Sequence, residues 1–140
     1  MVFWYILLMK NLMTLFLLMT IPVLAALPPM SESMRDRNAA YVVEAEVLEV
    51  AERLVNVRYG LDKEYTITLC VREMKKGLRP FSNSHIEVTC RRTYERVPGW
   101  SGPQGQNSIP KVGQTGRFYL VGGESDLTLL KPNGWVLLEN

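Results

Sequence analysis

One histidine and two cysteines are all that the sequence offers of the side chains that most often carry out chemistry. A single imidazole, His85, removes multi-histidine metal centres and most histidine-based acid–base pairs. No glycine-rich loop lies between a strand and a helix, so the nucleotide-binding fingerprints are missing. Charge of one sign is also lacking. The 16 basic residues face 14 acidic ones, and the pairs Lys75-Lys76 and Arg91-Arg92 are too short to make the concentrated basic field that nucleic acid or an anionic surface requires. The expectation is a chain with no catalytic residues, metal, cofactor or nucleic-acid partner. An unrecognised thiol-dependent enzyme, built on Cys70 and His85, is the weaker alternative.

Long apolar runs occur only at the N-terminus. In MKNLMTLFLLMTIPVLAALPP (Met9 to Pro29), Lys10 and Asn11 form a short basic n-region. Leu12 to Leu24 follow as an apolar h-region, and Ala25 and Ala26 supply the small residues of a cleavage site, which together read as an export signal. The preceding MVFWYILL puts apolar length on the wrong side of the lysine. Either translation starts at Met9, or residues 1–27 form an uncleaved anchor that buries Lys10 at a cost of about 2.5–3.5 kcal/mol. Cleavage is the favoured reading: residues 1–26 are a signal helix, and the domain is secreted or periplasmic. Membrane attachment is the alternative, if that helix is retained. No cysteine follows the h-region, which excludes a lipid anchor there.

What remains has the length of one small domain. Residues 27–39 are polar, start with prolines and show no apolar period, so they are expected to be a flexible linker. The domain spans residues 40–140. AYVVEAEVLEV alternates Tyr41, Val43, Ala45 and Val47 against Glu44 and Glu46, the period of a half-buried strand. A helical stripe through Val43, Val47, Val50, Leu54 and Val57 competes, but β-branched content favours the strand. After a break at Ala51 to Arg53, VNVRY alternates again, and GLDKE reads as a turn. YTITLCVRE then places Tyr65, Ile67, Leu69 and Val71 on one face, and HIEVTCRR places Ile86, Val88 and Cys90 on one face. A Gly- and Pro-dense stretch from Tyr94 to Gly116 exceeds the usual connection. RFYLV, a GGES turn, LTLL and WVLLE complete the chain, with Asn133-Gly134 as a hairpin signal before the last strand. This is an all-β pattern of five to six strands in one barrel or sandwich.

AYVVEAEVLEV, ITLCVREMKKG, the short IEV strand, the Gly-rich stretch and VGQTGRFYLVGG occur in an order that resembles the netrin-like, tissue-inhibitor-of-metalloproteinase-like superfamily. The resemblance covers Ala40 to Asn140 and implies a secreted, five-stranded OB-like β-barrel. Inhibitors of that superfamily chelate zinc through a cysteine at the mature N-terminus. No cysteine precedes Cys70 here, so that mechanism does not carry over.

Cys70 and Cys90 are an even pair in an exported domain and are disulfide candidates. A bond would contribute about 3 kcal/mol. The face pattern opposes it, because Cys90 shares a face with Val88 whereas Cys70 lies opposite Leu69; a β-bulge would reconcile them, and two free thiols are the other outcome. Trp100, in PGWSGPQG, is the candidate binding anchor, with Arg96 and Gln104 on either side; alternatively it folds back to plug the barrel end. Trp135 belongs with the core. The function expected is binding of a protein or extracellular ligand, the alternative being a membrane-tethered accessory or structural protein.

Overall fold

In the computed structural model, which describes residues 28–100, 102 and 104–139, two strands of equal length dominate. β1 (Tyr41–Val57) and β2 (Gly60–Lys76) form one antiparallel hairpin. β3 (His85–Arg96) pairs with β2, and β4 (Thr115–Val121) returns to pair with the first part of β1. The short β5 (Thr128–Leu129) lies parallel to β3 at Thr89–Thr128 and antiparallel to β4. The order β1-β2-β3-β5-β4, with β4 again on β1, closes a ring, and β6 (Trp135–Leu137) adds to β4. The signal or anchor reading of residues 1–26 lies outside the described residues.

The ring closes over an apolar interior. Val43, Ala45 and Val47 from β1 meet Ile67 and Leu69 from β2 and Ile86, Val88 and Cys90 from β3. Phe118, Leu120, Leu127 and Leu129 complete the other wall. Burying this much aliphatic and aromatic surface is the main stabilising contribution. The alternation read for YTITLCVRE and HIEVTCRR holds, as does the place of Trp135, whose ring stacks 6.0 Å from Phe118.

Four expectations change. The break at Ala51 to Arg53 is continuous strand, and GLDKE is not a turn but the start of β2; the turn is Arg58-Tyr59, between the partners Val57 and Gly60. Charged residues there mimic a loop in sequence although they pair across the strands, Arg53 with Glu64 and Glu52 with Lys63. The hairpin expected at Asn133-Gly134 does not form, because β5 and β6 pair in succession along β4 and not with each other. Asn133 instead accepts from the Met30 N–H and donates to the Met30 carbonyl, both at 2.9 Å.

That contact belongs to the fourth difference. The stretch read as a flexible linker contains a helix, α1 (Glu32–Asn38), capped by the Ser31 hydroxyl. It shows no apolar period because it is anchored by polar groups. Arg35 lies 4.9 Å over the Tyr119 ring, Arg117 bonds Glu32, and Lys76 donates to the Ala39 carbonyl at the helix end. Beneath it Ala39, Val42 and Tyr119 make a small second core outside the ring.

β1 and β2 are too long for the ring. β4 covers β1 only from Tyr41 to Glu46, and at Leu48 a bulge shifts the register, Val47 facing Leu69 but Glu49 facing Thr68. Bulges bend and twist the strand that carries them. Beyond it, the rest of β1, the start of β2 and the end of β3 continue as a three-stranded arm. At about 3.3 Å per residue, its tip reaches roughly 30 Å past the bulge.

Candidate functional site at the tip of the arm

The arm is held by ions where the ring is held by apolar packing. Glu64 lies between two guanidinium groups, accepting from Arg53 Nε and from Arg91 Nε, each at 2.8 Å. These bonds, the Arg53 contact foremost and then that of Arg91, hold the Glu64 carboxyl below the usual carboxylate range. Lys63 approaches Glu52 at 3.6 Å and lies 5.0 Å over the Tyr94 ring.

At the tip, Arg96 is fixed from several directions. Its Nη1 donates to the Leu61 carbonyl at 2.9 Å and its Nη2 to Asp62 Oδ1 at 2.5 Å. Its guanidinium lies 4.7 Å over the Trp100 ring, and that ring is 6.5 Å from Tyr59. Arg58, on the turn, lies 5.2 Å over Tyr59. The chain can reverse here because Val97 N–H donates to the Tyr59 carbonyl at 2.9 Å, tying the loop after β3 to the hairpin turn. Two glycines permit the approach. A Cβ on Gly60 (φ +148°) would sit 2.1 Å from the Glu95 carbonyl oxygen, and one on Gly102 would sit 2.1 Å from the Trp100 ring.

Two of the expected binding residues, Trp100 and Arg96, are therefore brought together. Trp100 does not plug the ring: the partly buried aromatics packed on the core are Tyr41, Tyr65, Phe81 and Trp135. Gln104 is set apart from the stack. Its carbonyl accepts from Thr93 N–H at 2.9 Å and its side-chain amide donates to the Gly102 carbonyl, so it fastens the loop to β3. Sequence reading misses Tyr59 and Arg58, because the turn is assigned a few residues too late. It also misses Gln106, which is 1% exposed. The Gln106 amide donates to the carbonyls of Leu129 (3.2 Å) and Leu130 (2.8 Å) and accepts from Gly134 N–H. Nothing in QGQNS marks that glutamine as buried.

The cysteines do not meet. β2 and β3 pair so that Cys70 faces His85 and Cys90 faces Tyr65. The expected bond would need a register that brings Cys70 opposite Cys90; both thiols are free. Burial pushes the Cys90 thiol up to about 12, so it stays protonated and inert. Two open grooves lie elsewhere. One of about 550 Å³ is lined by Ser82, His85 and Glu124, and one of about 500 Å³ by Cys90, Asp126 and Lys131. In the first, Glu124 is held low by the Ser82 hydroxyl and N–H. Among the described residues, no cluster of His, Cys, Asp and Glu is arranged to hold a metal ion, and no helix is long and apolar enough to cross a membrane.

The tip thus presents fixed aromatic and cationic groups beside exposed apolar ones, Tyr94 at 57% and Val97 at 49%. Such a surface can grip another molecule by aromatic and guanidinium contact without making or breaking bonds. No family model, curated protein or solved structure matches this chain.

Proposed function

We propose that this chain is an exported, non-catalytic OB-like β-barrel domain of the netrin-like kind, and that it binds a protein or another extracellular ligand through the tip of its arm. The export part rests on the n-region, h-region and small-residue grammar of residues 9–26. The OB part is supported by strand order: in a five-stranded, partly open Greek-key barrel the binding surface involves strands 2 and 3 and the loop between strands 1 and 2. Here β1 is shared by β2 and β4, and the β1–β2 turn carries Tyr59.

The observation that carries the binding reading is the cluster Tyr59–Trp100–Arg96 at the tip of the arm, none of which packs on the core. Trp, Tyr and Arg are the residues most enriched among interface anchors. Because Arg96 is already held by Leu61 and Asp62, little side-chain freedom is lost when a partner docks.

The test is site-specific photo-crosslinking in the native host. A photoreactive phenylalanine in place of Tyr59 is expected to give a discrete adduct with another molecule, reduced by Trp100→Ala, whereas the same group in place of the fully exposed Leu78 gives none. No adduct at Tyr59, or equal adducts at both positions, would overturn the binding reading. Intact mass of the same material tests export: a chain lacking residues 1–26 is expected. A chain that retains them and resists carbonate extraction would be the tethered form.

A further inference from the structure

β1 has a free edge. Its outer part, Leu48 to Val57, pairs with β2 on one side, and among the described residues no strand pairs with it on the other. Strand hydrogen-bonding groups alternate between neighbours, so this edge directs unpaired N–H and C=O groups outward, a template for another strand. Proteins commonly blunt such edges with lysine or proline. Neither occurs between Leu48 and Val57; the bulge lies at the inner end, at Leu48, the charges are Glu49, Glu52 and Arg53, and at the middle of the outer part Leu54 is 56% exposed. The corresponding edge of β3 is covered instead, by Gly105 bridging Arg92 and by Gln104 and Gln106 bonding Thr93 and Arg91.

We infer that this edge pairs with the same edge of a second copy of this chain, antiparallel, about a two-fold axis through Leu54. The reading is independent of what the tip binds. It follows from register. Directly paired residues share a face and faces alternate along a strand, so a two-fold perpendicular to the sheet must set one residue opposite itself. An axis at Arg53 or Glu52 would oppose two guanidinium or two carboxylate groups. It would also drive Tyr59 of the second copy against or past Val47. That position is occupied, since Val47 N–H donates to the Gln114 carbonyl (2.9 Å) and its carbonyl accepts from Gly113 N–H (2.8 Å). An axis at Val55 shortens the ladder.

With the axis at Leu54, Ala51 to Val57 of one copy pair with Val57 to Ala51 of the other. Leu54 meets Leu54, Glu52 meets Asn56, Arg53 meets Val55, and no like charges are directly opposed. The two Arg53 groups come diagonal to one another, and each is already paired with its own Glu64. The contact is isologous and closes at two copies.

Sedimentation equilibrium of the full chain over micromolar to millimolar concentration is expected to show a monomer–dimer equilibrium. Leu54→Glu would set two carboxylates face to face, yet within one copy it opposes Lys63. It is expected to weaken the dimer about fivefold, with no loss in melting temperature at concentrations where both proteins are monomeric. In a Cys70→Ser background, Leu54→Cys is expected to cross-link rapidly under mild oxidation, because directly opposed residues fall within disulfide reach, whereas Ala51→Cys, also exposed but set opposite Val57, does not. A monomer at every concentration, equal cross-linking at both positions, or a complex in which another protein's strand occupies the edge overturns the inference.

Discussion

The two halves of the β1–β2 hairpin share strands, partner and hydrogen-bond ladder, but they are held by different forces. From Val43 to Val47 the hairpin packs Ile67 and Leu69 into a sealed interior. From Ala51 to Val57 the cross-strand partners, Thr66 to Gly60, are at most half-buried, and Arg53, Glu64 and Arg91 take the place of aliphatic contact. Exposed ion pairs contribute little, typically under about 1 kcal/mol each, while a buried aliphatic side chain contributes about 1.5–3 kcal/mol. The ring should therefore set the global stability, and the arm should open locally at lower cost.

The largest test of that contrast is Phe118→Ala, which removes a ring with no exposure from the interior. It is expected to lower unfolding free energy by about 3–5 kcal/mol, read from chemical denaturation of the whole chain. An effect below about 1 kcal/mol would mean that the interior does not govern stability. Next is Arg96→Ala. It leaves Asp62 without its cation and Trp100 without its stacking partner, and should cost about 1–2 kcal/mol. Hydrogen exchange should place the loss in the tip amides and leave Ile67, Val88 and Leu120 protected.

Acid should sharpen the comparison further. Glu64 is held below its ordinary value of 4.5 by Arg53 and then Arg91. A carboxyl lowered in the folded form contributes its stabilisation fully above the unfolded value and loses it as pH falls through the folded value. Arm amides should therefore exchange faster as pH drops below about 4.5, after correction for intrinsic rates. Glu64→Gln should flatten that dependence in the arm alone. The ring has its own acid-sensitive group, Glu44, lowered chiefly by its bond from Arg117, and its dependence should persist in the variant. The smallest effect is chemical. Iodoacetamide should modify the half-exposed Cys70 in the native protein and reach the buried Cys90 only on global unfolding; equal rates would contradict the sealed interior.

Sequence pattern conveyed the ring better than the arm, for a physical reason. Alternation marks strands that have one wet and one dry face, as YTITLCVRE and HIEVTCRR do. Beyond Val50 the arm has no fully dry face in β1, and β2 is half-buried throughout from Gly60 to Thr66, so its charged residues imitate a loop, and GLDKE reads as a turn that lies at Arg58-Tyr59. The pairing of β5 and β6 with β4 depends on contacts remote in sequence, which an Asn-Gly signal cannot report. Helix α1 escaped because an arginine over Tyr119 anchors it where periodicity would require an aliphatic stripe. Trp100 and Arg96 were legible as candidates because their side-chain types stand out in a Gly- and Pro-dense stretch. Tyr59, their neighbour in space, was not.

Gln106 sits where the long excursion between β3 and β4 divides. Its amide grips Leu129 and Leu130 on one side and Gly134 on the other, while its N–H donates to Arg91. Before it, Gln104 and Gly105 follow the edge of β3; after it, Asn107 bonds Pro132, and Gly113 and Gln114 bond Val47 of β1. One residue thereby ties the edge of β3 to the end of β5 and to the segment that leads into β6, parts of the chain remote from one another in sequence.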